Sequence, residues 1–269
     1  MDLNLQNHIA VVTGGASGIG RAIADGFAAE GSSIALWDLS VNVSEIADEI
    51  QQTSGCSAVG CQVDVTEEAE VKLALEKTLS VLGPVDHLVH AAAIGSGKFG
   101  FPFTNLEPGD WKKVIDVNVM GMVNVAHAVT PRMVERKSGT MVFIASIAGQ
   151  NGSQTDPPYS ASKAANINFA QCMAKDLAPE RIRVNSLCPG MVQTALNKSV
   201  WQAWNDQQPP KNKCSYEDWA GEKVQNIVPL KEWQRPEDIA NMAVFLSSNR
   251  AAHVTGQTIN VDGGYVMHW

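Results

Sequence analysis

The stretch of sequence that decides the fold is His8-Ile-Ala-Val-Val-Thr13, followed without a break by Gly14-Gly-Ala-Ser-Gly-Ile-Gly20. The first part is an apolar, β-branched run that predicts a buried strand, and residues 19–29 have the spacing of an amphipathic helix. Glycines between a strand and a helix let the backbone approach a pyrophosphate, whose charge then faces free N–H groups and the helix dipole. A tight turn alone would also explain the glycines, but this context favours a dinucleotide-binding loop. The loop residues expected to contact the cofactor are Gly14, Ser17, Gly18, Ile19 and Gly20.

A carboxylate at the end of the next predicted strand indicates which dinucleotide binds. The apolar run Ser33-Ile-Ala-Leu-Trp37 leads into Asp38, which lies 18 residues after Gly20, near the spacing of about 20 for a ribose-binding acid. Such a carboxylate accepts hydrogen bonds from both hydroxyls of the adenosine ribose and repels a 2′-phosphate. Asp38 therefore predicts NAD rather than NADP, although a solvated acid at a strand end would fit the same residue.

The rest of the chain repeats this alternation of strand and helix. The apolar runs do not alternate with polar residues, which is typical of strands buried on both faces. Strands separated by helices form parallel sheets, so we predict an α/β fold: a single doubly wound (Rossmann-type) domain over residues 1–269, with helices on both faces. Further strands are predicted at 58–63, 85–89, 140–145, 183–187 and 258–261, and long helices at 67–82 and 161–177.

One segment, at about 195–231, interrupts this rhythm. It contains Pro209-Pro210 and three tryptophans, Trp201, Trp204 and Trp219. A long connection inside an α/β domain is usually functional, so we predict a substrate-loop insertion that acts as a lid. A surface insertion without a role is the alternative.

Composition excludes several classes of function. The formal net charge of -8, from 20 basic and 28 acidic residues, argues against binding nucleic acid. No apolar run approaches the ~20 residues of a membrane helix, and the first residues lack the basic region of a secretory signal, so a cytoplasmic protein is expected. The five cysteines form no CxxC pair and the six histidines no HExxH motif, so no metal is expected.

A tyrosine and a lysine open one of the predicted helices in Tyr159-Ser-Ala-Ser-Lys163. Residues four apart lie on one helix face, so the phenol and the ammonium can point into one site. Tyrosine is a poor base near neutral pH because its ordinary pKa is about 10. A neighbouring ammonium and a positive nicotinamide ring would both lower that pKa and favour the phenolate. An unremarkable pair of helix residues is the alternative.

With these motifs in order from His8 to Gly264, the chain resembles the short-chain dehydrogenase/reductase family, in the branch with TGxxxGxG and YxxxK motifs. The resemblance implies hydride transfer between nicotinamide and a secondary alcohol or ketone, with NAD as the cofactor that Asp38 predicts. It implies that Tyr159 moves the hydroxyl proton, while Lys163 binds the nicotinamide ribose and lowers the tyrosine pKa. Ser146 would then hydrogen-bond the substrate oxygen, and Asn118 would hold a water for proton relay.

The resemblance also implies further cofactor contacts. Asp64-Val65 corresponds to the contact with the adenine ring, and Ala91 to backbone passing under the adenosine ribose. The loop that covers nicotinamide would be formed by Pro189, Gly190, Val192 and Thr194.

The chain departs from the family where Asn-Asn-Ala-Gly usually follows the fourth strand, because it has His90-Ala91-Ala92-Ala93 there. Side-chain hydrogen bonds that brace the sheet are lost unless His90 supplies one. We favour a structural substitution at His90 over a catalytic group.

The substrate is less well indicated. The resemblance suggests a sugar, polyol or other small hydroxy compound, with a steroid-like or acyl substrate as the alternative. Aromatic residues of 195–231 and of the loop 98–104 would suit a sugar ring, but they would suit an ordinary core equally well. A non-catalytic NAD(H)-binding regulatory or scaffold protein is the competing function. A homotetramer is expected from the resemblance.

Overall fold

A computed structural model of the chain describes residues 2–267. Within that range the strands form one parallel sheet in the order β3-β2-β1-β4-β5-β6-β7. This confirms the prediction of a doubly wound parallel sheet. The strands are β1 Ile9–Thr13, β2 Ser33–Asp38, β3 Ala58–Gln62, β4 His87–His90, β5 Gly139–Ile144, β6 Ile182–Pro189 and β7 Thr258–Val261.

Helices cover both faces of this sheet. The α-helices are α1 Gly18–Ala29, α2 Val43–Ser54, α3 Glu68–Val81, α4 Pro108–Ile115, α5 Gly121–Arg136, α6 Pro157–Leu177, α7 Ala195–Asp206, α8 Tyr216–Ile227 and α9 Pro236–Ser247. One apolar core lies between the sheet and α1, α2 and α9, and a second lies between the sheet and α3, α5 and α6. Because β1, β4 and β5 are buried along their whole length, they do not alternate between polar and apolar residues: β1 and β5 are mostly apolar, and the two histidines that end β4 are buried as well.

The order of the strands places a crevice beside β1. From β1 the chain proceeds outward to β2 and β3, then returns to the other side of β1 to form β4. The connections that leave the carboxyl ends of β1 and β4 therefore diverge to opposite faces of the sheet. In such sheets a ligand binds at this switch point.

The segment 195–231 is more ordered than its composition indicates. It forms α7 and α8, which are joined through a short helical turn at Pro210–Asn212. Thr194 caps α7 by accepting a hydrogen bond from the Asn197 N–H, and Ser215 caps α8 in the same way for Asp218.

The helix pair α4 and α5 is joined by a π-helical turn, Asp116–Met120. Turns of this kind insert one extra residue into a helix and occur often at functional sites. Asn118 lies at the centre of this one. Among the α-helices that the structure describes, none is long and apolar enough to cross a membrane.

Candidate active site

A cleft of about 980 Å³ opens at the carboxyl ends of the strands. It brings together three of the four predicted catalytic residues and every predicted cofactor contact; Asn118 is absent from its lining. The predicted residues that line it are Gly14, Ser17, Gly18, Ile19, Gly20, Asp38, Asp64, Val65, Ala91, Ser146, Tyr159, Lys163, Pro189, Gly190, Val192 and Thr194.

The glycine loop leaves no room for side chains. Gly14 has φ +66°, and a Cβ there would lie 2.8 Å from the backbone N of Ala92. A Cβ on Gly20 would lie 2.1 Å from the Gly14 carbonyl oxygen. The first turn of α1 carries no acidic residue, so no carboxylate of the helix itself competes for its N–H groups and dipole. This cradle fits a dinucleotide pyrophosphate.

Asp38 is fixed at the cleft by backbone N–H groups. One carboxylate oxygen accepts a hydrogen bond of 2.9 Å from Ala16 in the glycine loop, and the other accepts one of 2.9 Å from Ser40. The carboxylate therefore stays at the end of β2, beside the loop expected to hold the pyrophosphate.

His90, which stands where the family usually has asparagine, makes a side-chain contact with the neighbouring strand β1. Nδ1 of His90 lies 2.9 Å from Oγ1 of Thr13, and that hydroxyl also accepts hydrogen bonds of 3.2 Å from the N–H groups of Ala91 and Ala92. The Thr13 hydroxyl therefore joins His90 to the first two N–H groups of the loop after β4. Burial lowers the pKa of His90 to about 3, so the ring is neutral. His90 is not part of the cleft lining, and its geometry agrees with a structural substitution.

We expect Thr13→Val to destabilise the protein by about 2–3 kcal/mol, because Ala92 N–H and His90 Nδ1 both lose a buried partner. For a chain of this length that is a fall in Tm of about 4–12 °C, measured by thermal denaturation. Thr53→Val, on the exposed end of α2, is the matched control and leaves Tm nearly unchanged. An equal Tm for Thr13→Val and wild type would contradict the bracing role.

The Tyr159, Ser146 and Lys163 side chains meet at the floor of the cleft. Lys163 is 2% exposed, its Nζ donates a hydrogen bond of 2.7 Å to the Ile144 carbonyl oxygen, and Nζ lies 5.4 Å from the centroid of the Tyr159 ring. Ser146 follows β5 and its Oγ accepts a hydrogen bond of 3.1 Å from Ala148 N–H. The helix spacing of Tyr159 and Lys163 thus places both in one site.

The pKa of Tyr159 in the protein alone is higher than its ordinary value, whereas the sequence predicted a lower pKa in the presence of Lys163 and nicotinamide. Burial raises the pKa of Tyr159 to about 12, and the hydrogen bond with Ser146 only partly opposes this, while the charge of Asp156 adds to it. Burial also lowers the pKa of Lys163 to about 8, and its ammonium is directed at a carbonyl. The predicted lowering of the tyrosine pKa by Lys163 is therefore not produced by the protein alone, because desolvation of the phenolate is the largest influence on this group.

Asn118 lies behind the cleft. It is fully buried, and its side chain accepts a hydrogen bond of 2.8 Å from the Ile94 N–H. It donates to the Ile94 carbonyl and to Ser162 Oγ, both at 2.9 Å. Asn118 thus ties the π-helical turn to the loop after β4 and to α6, the helix that carries Tyr159.

Three charged residues of the cleft were missed at the level of sequence: Asp156, Lys223 and the exposed Lys113 of α4. Asp156 precedes α6, is 7% exposed, and accepts a hydrogen bond of 2.8 Å from Ser96 N–H through Oδ2. Its Oδ1 is buried without a partner in the described part of the chain. Lys223 of α8 lines the same cleft. The sequence Asp156-Pro-Pro does mark the start of a helix, but nothing local shows that any of the three residues faces the cleft.

The aromatic residues separate into two groups. Trp219 lines the cleft, whereas Trp201 and Trp204 pack against the aromatic rings of α8 and are not part of the lining. No residue of the loop 98–104 lines the cleft, and its Phe103 is 72% exposed. Among residues 2–267 no cluster of three or more His, Cys, Asp or Glu side chains is arranged to hold a metal ion.

Comparison with known proteins identifies the relatives of this chain. Residues 14–266 match a family model described as enoyl-(acyl carrier protein) reductase. The chain is 32% identical to the 3-oxoacyl-[acyl-carrier-protein] reductase FabG of Thermotoga maritima, over 98% of this chain and 100% of that protein. It is 34% identical to the 7alpha-hydroxysteroid dehydrogenase of Escherichia coli K12, over 99% and 97% of the two chains. The structure of L-sorbose reductase from Gluconobacter frateurii, complexed with NADPH and L-sorbose, has a TM-score of 0.91 and 30% identity, with full coverage of both chains.

Proposed function

The chain belongs to the short-chain dehydrogenase/reductase family, and on that premise we propose that it is an NAD-dependent dehydrogenase of a small secondary alcohol. Members of this family are oxidoreductases that act on hydroxyl or carbonyl groups. The observation that carries the proposal is the meeting of Tyr159, Ser146 and Lys163 in the cleft that the glycine loop also lines.

In the proposed mechanism the chain's own residues bind the substrate and move one proton. Ser146 holds the substrate oxygen by a hydrogen bond, and Tyr159 takes the hydroxyl proton when an alcohol is oxidised and returns it when a ketone is reduced. When bound, the nicotinamide ring accepts or supplies the hydride, and its oxidised form adds a positive charge beside the phenol. That charge acts against the burial that holds the Tyr159 pKa at about 12.

The remaining residues orient the reactants. Lys163 would bind the nicotinamide ribose through its ammonium, and the glycine loop would bind the pyrophosphate through N–H groups. Nicotinamide would be covered by the end of β6 and the loop that follows it, through Pro189, Gly190, Val192 and Thr194. Asn118 would hold the relay water from behind the cleft, where it lies in the π-helical turn between α4 and α5.

The preference for NAD rests on Asp38. Its carboxylate, fixed by Ala16 and Ser40, would accept hydrogen bonds from the ribose hydroxyls and repel a 2′-phosphate. The L-sorbose reductase structure contains NADPH, so the relatives do not decide this point.

For the substrate we propose a sugar, a polyol or another small hydroxy compound. The structural likeness to L-sorbose reductase favours it, and so does a carboxylate in the lining of the cleft, Asp156, because a carboxylate accepts hydrogen bonds from hydroxyl groups. The likeness to a hydroxysteroid dehydrogenase and to FabG keeps steroid and acyl substrates as the second candidate.

Purified protein assayed with NAD⁺ against sugars, polyols, hydroxysteroids and 3-hydroxyacyl thioesters tests the proposal by following NADH absorbance. Activity confined to a steroid or an acyl thioester would contradict the proposed substrate class. Tight binding of NADH without turnover of any compound would favour the regulatory or scaffold function instead.

We expect Asp156→Asn to move the pH dependence of alcohol oxidation to lower pH. The carboxylate of Asp156 disfavours the neighbouring phenolate and so raises the pKa of Tyr159, whereas the neutral amide still accepts from Ser96. The measurement is kcat/KM against pH, and Asp176→Asn at the exposed far end of α6 is the control. An unchanged or alkaline-shifted profile would show that the charge of Asp156 does not act on the phenol.

We further propose that the whole chain acts as one catalytic domain, with 195–231 as its substrate loop. A cytoplasmic homotetramer is the proposed form of the enzyme.

A further inference from the structure

The wall of the cleft contains a lysine whose ammonium lies over an aromatic ring. Nζ of Lys223 lies 3.9 Å from the centroid of the Trp219 ring, and both residues line the cleft. Trp219 is 5% exposed, and its ring packs 6.2 Å from the ring of Trp204 and 6.4 Å from that of Tyr216, measured between centroids. Because the ring beneath it is fixed, the ammonium of Lys223 has a defined position in the wall of the cleft.

This ammonium has no anionic partner in the part of the chain that the structure describes. No ion pair or hydrogen bond joins Lys223 to another residue there, and burial is the sole cause that lowers its pKa. A surface lysine needs no partner because water solvates it, but Lys223 has lost part of that solvation.

None of the acids that line the cleft forms an ion pair with Lys223, and each accepts a hydrogen bond from backbone N–H groups. Asp38 accepts from the N–H groups of Ala16 and Ser40, Asp64 from Thr66, and Asp156 from Ser96. The other two cleft lysines differ from Lys223: Lys163 donates to a backbone carbonyl, and Lys113 is exposed on α4. Among the lysines of the cleft, Lys223 is therefore the partly desolvated one whose ammonium is free to bind a ligand.

We propose that Lys223 binds an oxyanion group of the substrate, so that the enzyme acts on a hydroxy acid or a phosphorylated alcohol in preference to a neutral polyol. The anion would replace the solvation that the ammonium has lost, while the hydroxyl to be oxidised lies at Tyr159 and Ser146. This inference rests on the proposed function and specifies the substrate class of the same cleft. Lys223 is a substrate-binding residue in this scheme and takes no part in proton transfer.

The test compares substrates that differ in charge. Lactate and gluconate are assayed with NAD⁺ against lactamide and gluconamide, and glycerol 3-phosphate against glycerol, which separates a carboxylate from a phosphate as the group bound. We expect kcat/KM to be at least about tenfold higher for the charged member of at least one pair. Lys223→Met should remove that preference by raising KM for the charged compound, with kcat and the neutral compound little affected.

Matched variants distinguish charge from packing. Lys223→Arg keeps a cation and should retain most of the preference, whereas Lys211→Met removes the same charge from an exposed position of the same segment and should leave it intact. Equal kcat/KM for charged and neutral members, or an unchanged preference in Lys223→Met, would overturn the inference.

A binding measurement makes the test independent of turnover. An anion at Lys223 changes the surroundings of the Trp219 ring, so titration with gluconate should alter tryptophan fluorescence, and titration with gluconamide should not. The change should disappear in Lys223→Met and in Trp219→Phe.

If lactate, gluconate and glycerol 3-phosphate all left the fluorescence unchanged, the inference would be overturned. Turnover of neutral alcohols without anion preference would leave the proposed function standing, whereas anion binding without turnover of any alcohol would contradict the proposed function alone.

Discussion

Tyr159→Phe should lower kcat for alcohol oxidation by about 10³-fold or more, while the Kd for NADH changes little. The substitution removes only the hydroxyl, which in the proposed mechanism is the sole group that exchanges a proton with the substrate oxygen. General acid–base groups contribute about 10²–10⁴-fold to enzymatic rates, and a phenylalanine ring fills the same buried space. The measurements are steady-state kinetics and titration of NADH fluorescence.

Tyr216→Phe is the matched control for this prediction. Tyr216 lies in α8, and its hydroxyl donates a hydrogen bond of 3.0 Å to Asn197 Oδ1 outside the group around Tyr159. Its loss should change kcat by less than about tenfold, as a peripheral hydrogen bond is worth about 0.5–1.5 kcal/mol. Near-full activity in Tyr159→Phe would refute the acid–base assignment, whereas equal loss in both variants would indicate general damage to the fold.

Asp38→Ala should change the ratio of kcat/KM for NAD to that for NADP by about 10²-fold or more in favour of NADP. Removing the carboxylate deletes charge-assisted hydrogen bonds to the ribose, worth about 1.5–3 kcal/mol, and also the repulsion of a 2′-phosphate. Each 1.4 kcal/mol corresponds to about tenfold. The measurement is initial-rate kinetics with both cofactors at a fixed alcohol concentration.

Asp38→Asn and Asp48→Ala complete this experiment. Asp38 also accepts hydrogen bonds from Ala16 and Ser40, and asparagine removes the charge while keeping an acceptor for one of them. Asp48 is exposed on α2, and its substitution by alanine changes the net charge equally without touching the cleft. If Asp38→Ala improved the use of NADP only slightly, NAD preference would not depend on this carboxylate, and an enzyme built for NADP would be the better description.

The sequence was sufficient to predict those strands and loops whose pattern lies within a short stretch of neighbouring residues. The apolar runs before Gly14 and Asp38 predicted β1 and β2 because buried parallel strands are apolar on both faces, and the motif spacing predicted which loops meet at the cleft. Boundaries were less accurate: β4 was predicted at 85–89 and spans His87–His90, so that His90 is the last residue of the strand. The segment 195–231 contains regular helices that its prolines and tryptophans did not indicate.

The sequence by itself thus determined the doubly wound sheet, the glycine loop and the pairing of Tyr159 with Lys163, because each depends on residues within one or two turns or strands. Only the tertiary structure decided that His90 bonds Thr13 across 77 residues, that Asp156 bonds Ser96 across 60, and that Lys223 faces the cleft. It also showed that burial raises the pKa of Tyr159 in the protein alone, whereas the expectation from sequence combined Lys163 with a bound nicotinamide ring. The physical reason is that solvation and hydrogen-bond partners of a buried group are supplied by distant segments, and no local spacing specifies them.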